Sequence, residues 1–166
     1  MLYKLVEAAG GEIDGRKKLH KLAYLCQRAG TDLGQGFVFH MYGVYSPSLS
    51  HDVELAAAWH YLRETVEPGA SQYEISLGQE KPDEQSLHAV TDQAGFNLVK
   101  NLARESASVL EVLTTIVYLW DAGYRDDRLP TKLHDLKGHL SSYFSHASTL
   151  AQNYGLTGDK TTEGGL

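Results

Sequence analysis

The sequence predicts a mainly α-helical domain with a small antiparallel sheet, an α+β arrangement of winged-helix character. Two observations support this. Apolar residues recur at three- and four-residue spacing along most of the chain, and the segments that instead alternate apolar and polar residues are few and short. The elements also follow one another as helix, helix, strand, helix and hairpin, an order that a winged-helix-like fold accommodates.

Residues 2–9 are short and apolar-rich and read as a helix stopped by Gly10-Gly11, since glycine carries the largest backbone entropy cost in a helix. A second helix is expected from Asp14, as N-cap, to Gly30, with Leu19, Leu22, Ala23, Cys26 and Ala29 on one face. Residues 37–42 alternate as a strand, and Gly43 begins a turn made rigid by Pro47. Ser50 is the expected cap of a third helix, whose stripe of Leu55, Trp59, Leu62 and Val66 runs to a stop at Pro68-Gly69.

Residues 73–77 read as a strand, paired across an acidic turn with residues 87–91 to form a wing-like hairpin. Asp92 is placed to cap a helix through Leu98, Val99 and Leu102. Ser108 and Glu111 form a capping-box pattern ahead of the most regular helix, whose face of Val109, Val112, Leu113, Ile116, Val117 and Trp120 marks it as central to the core. Leu133, Leu136, Leu140 and Phe144 mark another helix, with Pro130 near its start, and a short one follows over 146–154. The whole reads as one interaction domain over 1–155, with a disordered tail over 156–166 that is poor in apolar residues.

The formal charge of −6 argues against a chain that coats nucleic acid non-specifically, but the charge is unevenly spread. Residues 1–50 carry six Lys/Arg against four Asp/Glu, whereas residues 51–100 carry three against nine. A basic face therefore survives in the first third. The longest apolar run falls far short of the ~20 residues that span a bilayer, and no signal-peptide pattern opens the chain, so a cytoplasmic protein without membrane contact is expected. The single cysteine, Cys26, cannot form an internal disulfide, in keeping with a reducing compartment.

Gly15-Arg16-Lys17-Lys18-Leu19-His20-Lys21-Leu22-Ala23-Tyr24-Leu25 resembles the opening motif of the YwgA-like bacterial and archaeal proteins, and Tyr42-Gly43-Val44-Tyr45-Ser46-Pro47 resembles their Tyr-Gly-Pro-Tyr-Ser turn. The later segments Thr115 to Leu119 and Lys132 to Lys137 are similar to helices of the same family. A more distant resemblance is to the Panacea domain of SocA-like antitoxins. It implies a helical module of winged-helix character that binds proteins or acts as a proteolytic adaptor. The chain departs from these patterns at Val44, where proline is usual, and at His20, where glutamine is usual.

The candidate site is therefore a recognition surface with no catalytic residues assigned. Arg16, Lys17, Lys18 and Lys21 read either as the solvated side of a surface helix or as a contact for an acidic protein surface, with nucleic-acid phosphates as the alternative. The helix after the turn, which begins with His51, is a poor DNA reader, because Asp52 and Glu54 would bring carboxylates to phosphates. Tyr24, Tyr42 and Tyr45 either edge the domain or join the basic helix in a contact surface, and Gly43 and Pro47 set the turn.

A metal-dependent hydrolase is the enzymatic alternative. Against it, His20 and Cys26 lie six apart, His134, His139 and His146 follow no compact ligand spacing, and no H-E-x-x-H or paired-cysteine motif exists. Ser46, Ser48 and Ser50 near His40 and Asp52 have the residue types of a triad but no G-x-S-x-G elbow. Walker and dinucleotide glycine patterns are absent as well, so no cofactor is assigned.

Overall fold

A computed structural model describes residues 1–66, 69, 73–83 and 93–158. The elements in chain order are α1 (Leu2–Ala8), β1 (Glu12–Ile13), α2 (Gly15–Arg28), β2 (Val38–His40), β3 (Gly43–Tyr45), α3 (Pro47–Ala58), β4 (Leu62–Val66), β5 (Tyr73–Leu77), α4 (Ala94–Leu102), α5 (Ala107–Asp121), α6 (Arg128–Lys137), a 3-10 segment (Gly138–Tyr143) and α7 (Phe144–Asn153). The fold is mainly helical, with two small antiparallel sheets and the expected winged-helix-like character.

The core forms around α5, which packs against α2, α6, α7 and β3. Val109, Val112, Leu113, Ile116 and Val117 are buried, as the periodicity predicts, and so are Leu110, Thr114, Thr115 and Leu119. Helix α2 contributes Leu19, Leu22, Ala23 and Cys26, all buried. It meets α4 so closely that a Cβ on Gly95 would collide with the Cys26 carbonyl and sulfur, and the Gly95 N–H donates to Thr31 Oγ1 at 2.9 Å.

Several local expectations are corrected. Trp59 is the C-cap of α3 and not part of a longer helix; Leu62 and Val66 belong to β4. The chain reverses at His60, whose φ of 58° breaks the helix without a glycine. Strand β4 is consequently the hairpin partner of β5, with Leu62 opposite Leu77 and Val66 opposite Tyr73, and β1 pairs on the other edge of β5. Residues 87–91, the expected partner, lie outside the described residues, as do Pro68 and Asp92. The expected strand over 37–42 ends at His40, the chain turns at Met41-Tyr42, and Gly43 opens the return strand, with His40 opposite it and Phe39 opposite Val44. Gly43 takes φ +96°, a conformation that glycine tolerates and side-chain-bearing residues resist.

The caps differ too. Ser46, not Ser50, caps α3 by accepting the Leu49 N–H at 3.2 Å, and Pro47 occupies the first helical turn, where its missing N–H costs nothing. Ser106, not Ser108, caps α5. Asp14 precedes α2 without a capping bond, and its carboxylate instead accepts from Lys18 Nζ at 3.3 Å. The single helix expected through Leu133 and Phe144 breaks after Lys137. Leu156 is buried against the core and Gly158 O accepts from Arg28 at 3.4 Å; residues 159–166 lie outside the described residues.

Candidate functional site

The basic segment of α2 does not form a solvated stripe. Arg16 is held from two sides: its Nε and Nη2 donate to the two Glu64 oxygens, each at 2.7 Å, and Nη1 donates to Glu54 at 3.3 Å. This bidentate pairing raises the guanidinium pKa above its ordinary value. Lys18 is buried beside Asp14. Lys21 is 2% exposed. Of the four, Lys17 alone is exposed, and its Nζ sits 4.2 Å above the centre of the Tyr42 ring, a cation–π contact.

The burial of Lys21 follows from what surrounds α2. The β2–β3 hairpin, α5 and α4 all pack on it, so positions flanking the apolar face are covered as well. Lys21 Nζ has weak partners: the Lys17 carbonyl at 3.4 Å and Glu111 Oε2 at 3.9 Å. Glu111 is held more closely by Lys137, whose Nζ lies 2.5 Å from Oε1 and donates to the Met41 carbonyl at 2.8 Å. Two buried lysines thus share one carboxylate. Desolvation lowers the Lys21 pKa first of all, Glu111 opposes this, and Lys17 and Lys137 reinforce it.

His20, one turn before Tyr24, is buried between α2 and α3. Its Nδ1 accepts the Ser46 N–H at 3.1 Å, which leaves Nε2 to carry the proton toward Ser50 Oγ at 3.2 Å; that hydroxyl in turn donates to Tyr45 OH at 3.2 Å. The imidazole stacks on the Tyr45 ring at 4.7 Å, and His40 approaches the same ring at 5.8 Å. Burial, with Lys21 and Arg16 nearby, pushes the His20 pKa down to about 4, so the ring is neutral near pH 7.

These groups line a cleft of about 420 Å³ between the first half of α2, the hairpin and the start of α3. Arg16, Lys17, Lys21, Tyr42, Gly43 and Tyr45 meet there, as do His20, His40, Val44 and Ser50, which sequence reasoning did not assign to the site. Among the described residues no carboxylate lines it, in a chain of net charge −6. Lys18, Tyr24 and Pro47 are not part of it. Tyr24 is set edge-on against Phe37 and packs against the core, its hydroxyl pKa raised chiefly by burial.

Glu111 and Lys137 were also unassigned. The family-like segment around Lys137 was a signal for the lysine, but Glu111 read as a helix cap and gave no sign of a counter-ion. Gln35 was missed as well: it accepts from Ser46 and Ser48 at 3.1 and 2.6 Å and donates to Asp52 at 2.8 Å, tying the loop to α3. Among the described residues, no group of three His, Cys, Asp or Glu is placed to hold a metal ion, and no helix is long and apolar enough to cross a membrane.

A small helical domain of winged-helix character, with a basic and aromatic cleft between its second helix and a hairpin, is the class that these features define. The chain belongs to the YwgA family. It is 31% identical over 132 residues to a Bacillus subtilis (strain 168) protein described as "Uncharacterized protein YwgA", an alignment covering 76% of each chain. No family model and no solved structure matches the chain.

Proposed function

We propose that the chain is a cytoplasmic, non-enzymatic protein-interaction module, of the antitoxin-like or adaptor kind implied by the distant resemblance to Panacea domains, and that its partner presents an acidic surface. The observation that carries this reading is the tip of the β2–β3 hairpin. Met41 is 83% exposed and Tyr42 62% exposed, and Lys17 lies over the Tyr42 ring. Exposed methionine and tyrosine are residue types enriched where partners anchor, and the accessible Lys17 ammonium beside them adds a charge at the same point. The neighbouring cleft, without a described carboxylate in its lining, favours an acidic partner.

Duplex DNA is disfavoured by the same geometry. Arg16 is already paired and Lys18 and Lys21 are buried, so the segment offers phosphate one open lysine, and α3 carries Asp52 and Glu54. The test is capture from an extract of the encoding organism with the full chain, wild type against a Lys17→Glu and Tyr42→Ala pair. The reading predicts a reproducible protein partner that the folded double variant loses. Recovery of every partner equally by both proteins would contradict it.

A further inference from the structure

We propose that the cleft between α2 and the β2–β3 hairpin is a binding site for a single carboxylate carried on an aromatic or apolar body, with Lys21 and Lys17 meeting the charge and Tyr42 and Tyr45 meeting the body. The proposal deepens the interaction reading in naming the chemistry of one site, and it stands or falls on different measurements.

The argument begins with a charge imbalance. Lys21 and Lys137 are 2% and 1% exposed, and Glu111 is the carboxylate that both approach. Lys137 takes the close position at 2.5 Å and has the Met41 carbonyl as a second acceptor. Lys21 is left with partners at 3.4 and 3.9 Å for an ammonium that carries three donors. A buried cation so poorly matched is costly unless another acceptor arrives.

Lys21 lines the cleft, so an anion entering there supplies that acceptor. Its volume of about 420 Å³ falls within the range of small-ligand sites, and the stacked rings of His20 and Tyr45 form an aromatic wall. His20 is uncharged near neutral pH with its Nδ1 occupied by the Ser46 N–H, and Arg16, which also lines the cleft, is already paired with Glu64 and Glu54, so the lysines are left to meet a negative charge. A planar carboxylate on an apolar body fits a basic site with aromatic sides better than a bare inorganic anion does.

A carboxylate of this kind comes either from a free organic acid or from an acidic side chain beside an aromatic residue in a partner. The test uses thermal shift and calorimetric titration of the full chain with phenylacetate, with phenylacetamide as the neutral isostere, and with a blocked Phe-Asp dipeptide. Saturable binding of phenylacetate or of the dipeptide, at least about tenfold tighter than phenylacetamide, supports the site, and the tighter of the two identifies the source. Lys21→Met, which removes a desolvated charge and keeps the volume, is expected to stay folded and weaken that binding at least about tenfold. Equal response to phenylacetate and phenylacetamide, no saturable binding of either carboxylate, or unchanged carboxylate binding by folded Lys21→Met would overturn the proposal. The titrations need no protein partner, so failure to capture one bears on the interaction reading and leaves this result untouched; the hairpin-tip pair changes Lys17 and Tyr42, which belong to both surfaces, and Lys21→Met is therefore the variant that reads the cleft.

Discussion

The ammonium of Lys137 lies 2.5 Å from Glu111 Oε1, a buried ion pair that joins α6 to α5 and, through the Met41 carbonyl, fixes the turn of the β2–β3 hairpin. The hairpin tip thus has its position set from the core side of the molecule. Removing the carboxylate strands two buried lysines: Glu111→Gln is expected to destabilise the fold by about 3–5 kcal/mol, measured by denaturant unfolding. Lys21→Met should be neutral or stabilising in the same assay. A Glu111→Gln variant as stable as wild type would show that the pair contributes nothing.

Gly95 is the point where α4 rests on α2. An added methyl group would meet the Cys26 backbone and sulfur, so the helices must separate. Gly95→Ala should therefore cost about 1–3 kcal/mol or more, although alanine favours helix elsewhere. The midpoint of chemical unfolding reads it directly.

His20 gives the fold a pH dependence of definite sign. Its native pKa of about 4 lies below the ordinary 6.5, so the unfolded chain binds the proton first as pH falls. The stability associated with the neutral ring is fully present above pH 6.5 and is lost between about 6.5 and 4, amounting to roughly 3 kcal/mol. His20→Gln, which keeps an acceptor for the Ser46 N–H and a donor for Ser50, should flatten the stability profile across that window. A wild-type profile already flat there would contradict the burial of a neutral imidazole.

Leu22 is buried at the heart of α2, and Leu22→Ala should cost about 2–5 kcal/mol through lost transfer energy and a cavity. Lys21→Glu is no surface change beside it. It would set a new buried carboxylate next to Glu111, so charge reversal of the accessible surface belongs at Lys17.

The apolar face of α2 and the core role of α5 were legible because three- and four-residue spacing reports a face directly. Spacing does not report how many faces are covered. Lys18 and Lys21 looked solvated because the hairpin and α5 that enclose α2 come from distant sequence. The misplaced end of α3 has a local cause: Leu55, Trp59, Leu62 and Val66 keep helical spacing, and the break falls at His60, which is neither glycine nor proline. With 62–66 read as helix, β5 lacked its true partner and one was sought later in the chain. Of the site, the basic segment and the Tyr42–Tyr45 turn were legible and do meet in one cleft; Glu111, Lys137 and His20 were not, since a lone acid or histidine carries no spacing signal for a tertiary pair.

The basic segment of α2 turns most of its charge inward. Acylation of the native protein with a bulky succinimidyl ester, followed by mass spectrometry at each lysine, tests it most directly. The structure predicts that Lys17 reacts readily while Lys18, Lys21 and Lys137 are protected at least about tenfold until the chain is denatured, because a bulky acyl group finds no room at a buried amine, even at Lys21, where a small planar carboxylate can approach from the cleft. Native reactivity of Lys21 equal to that of Lys17 would contradict the account.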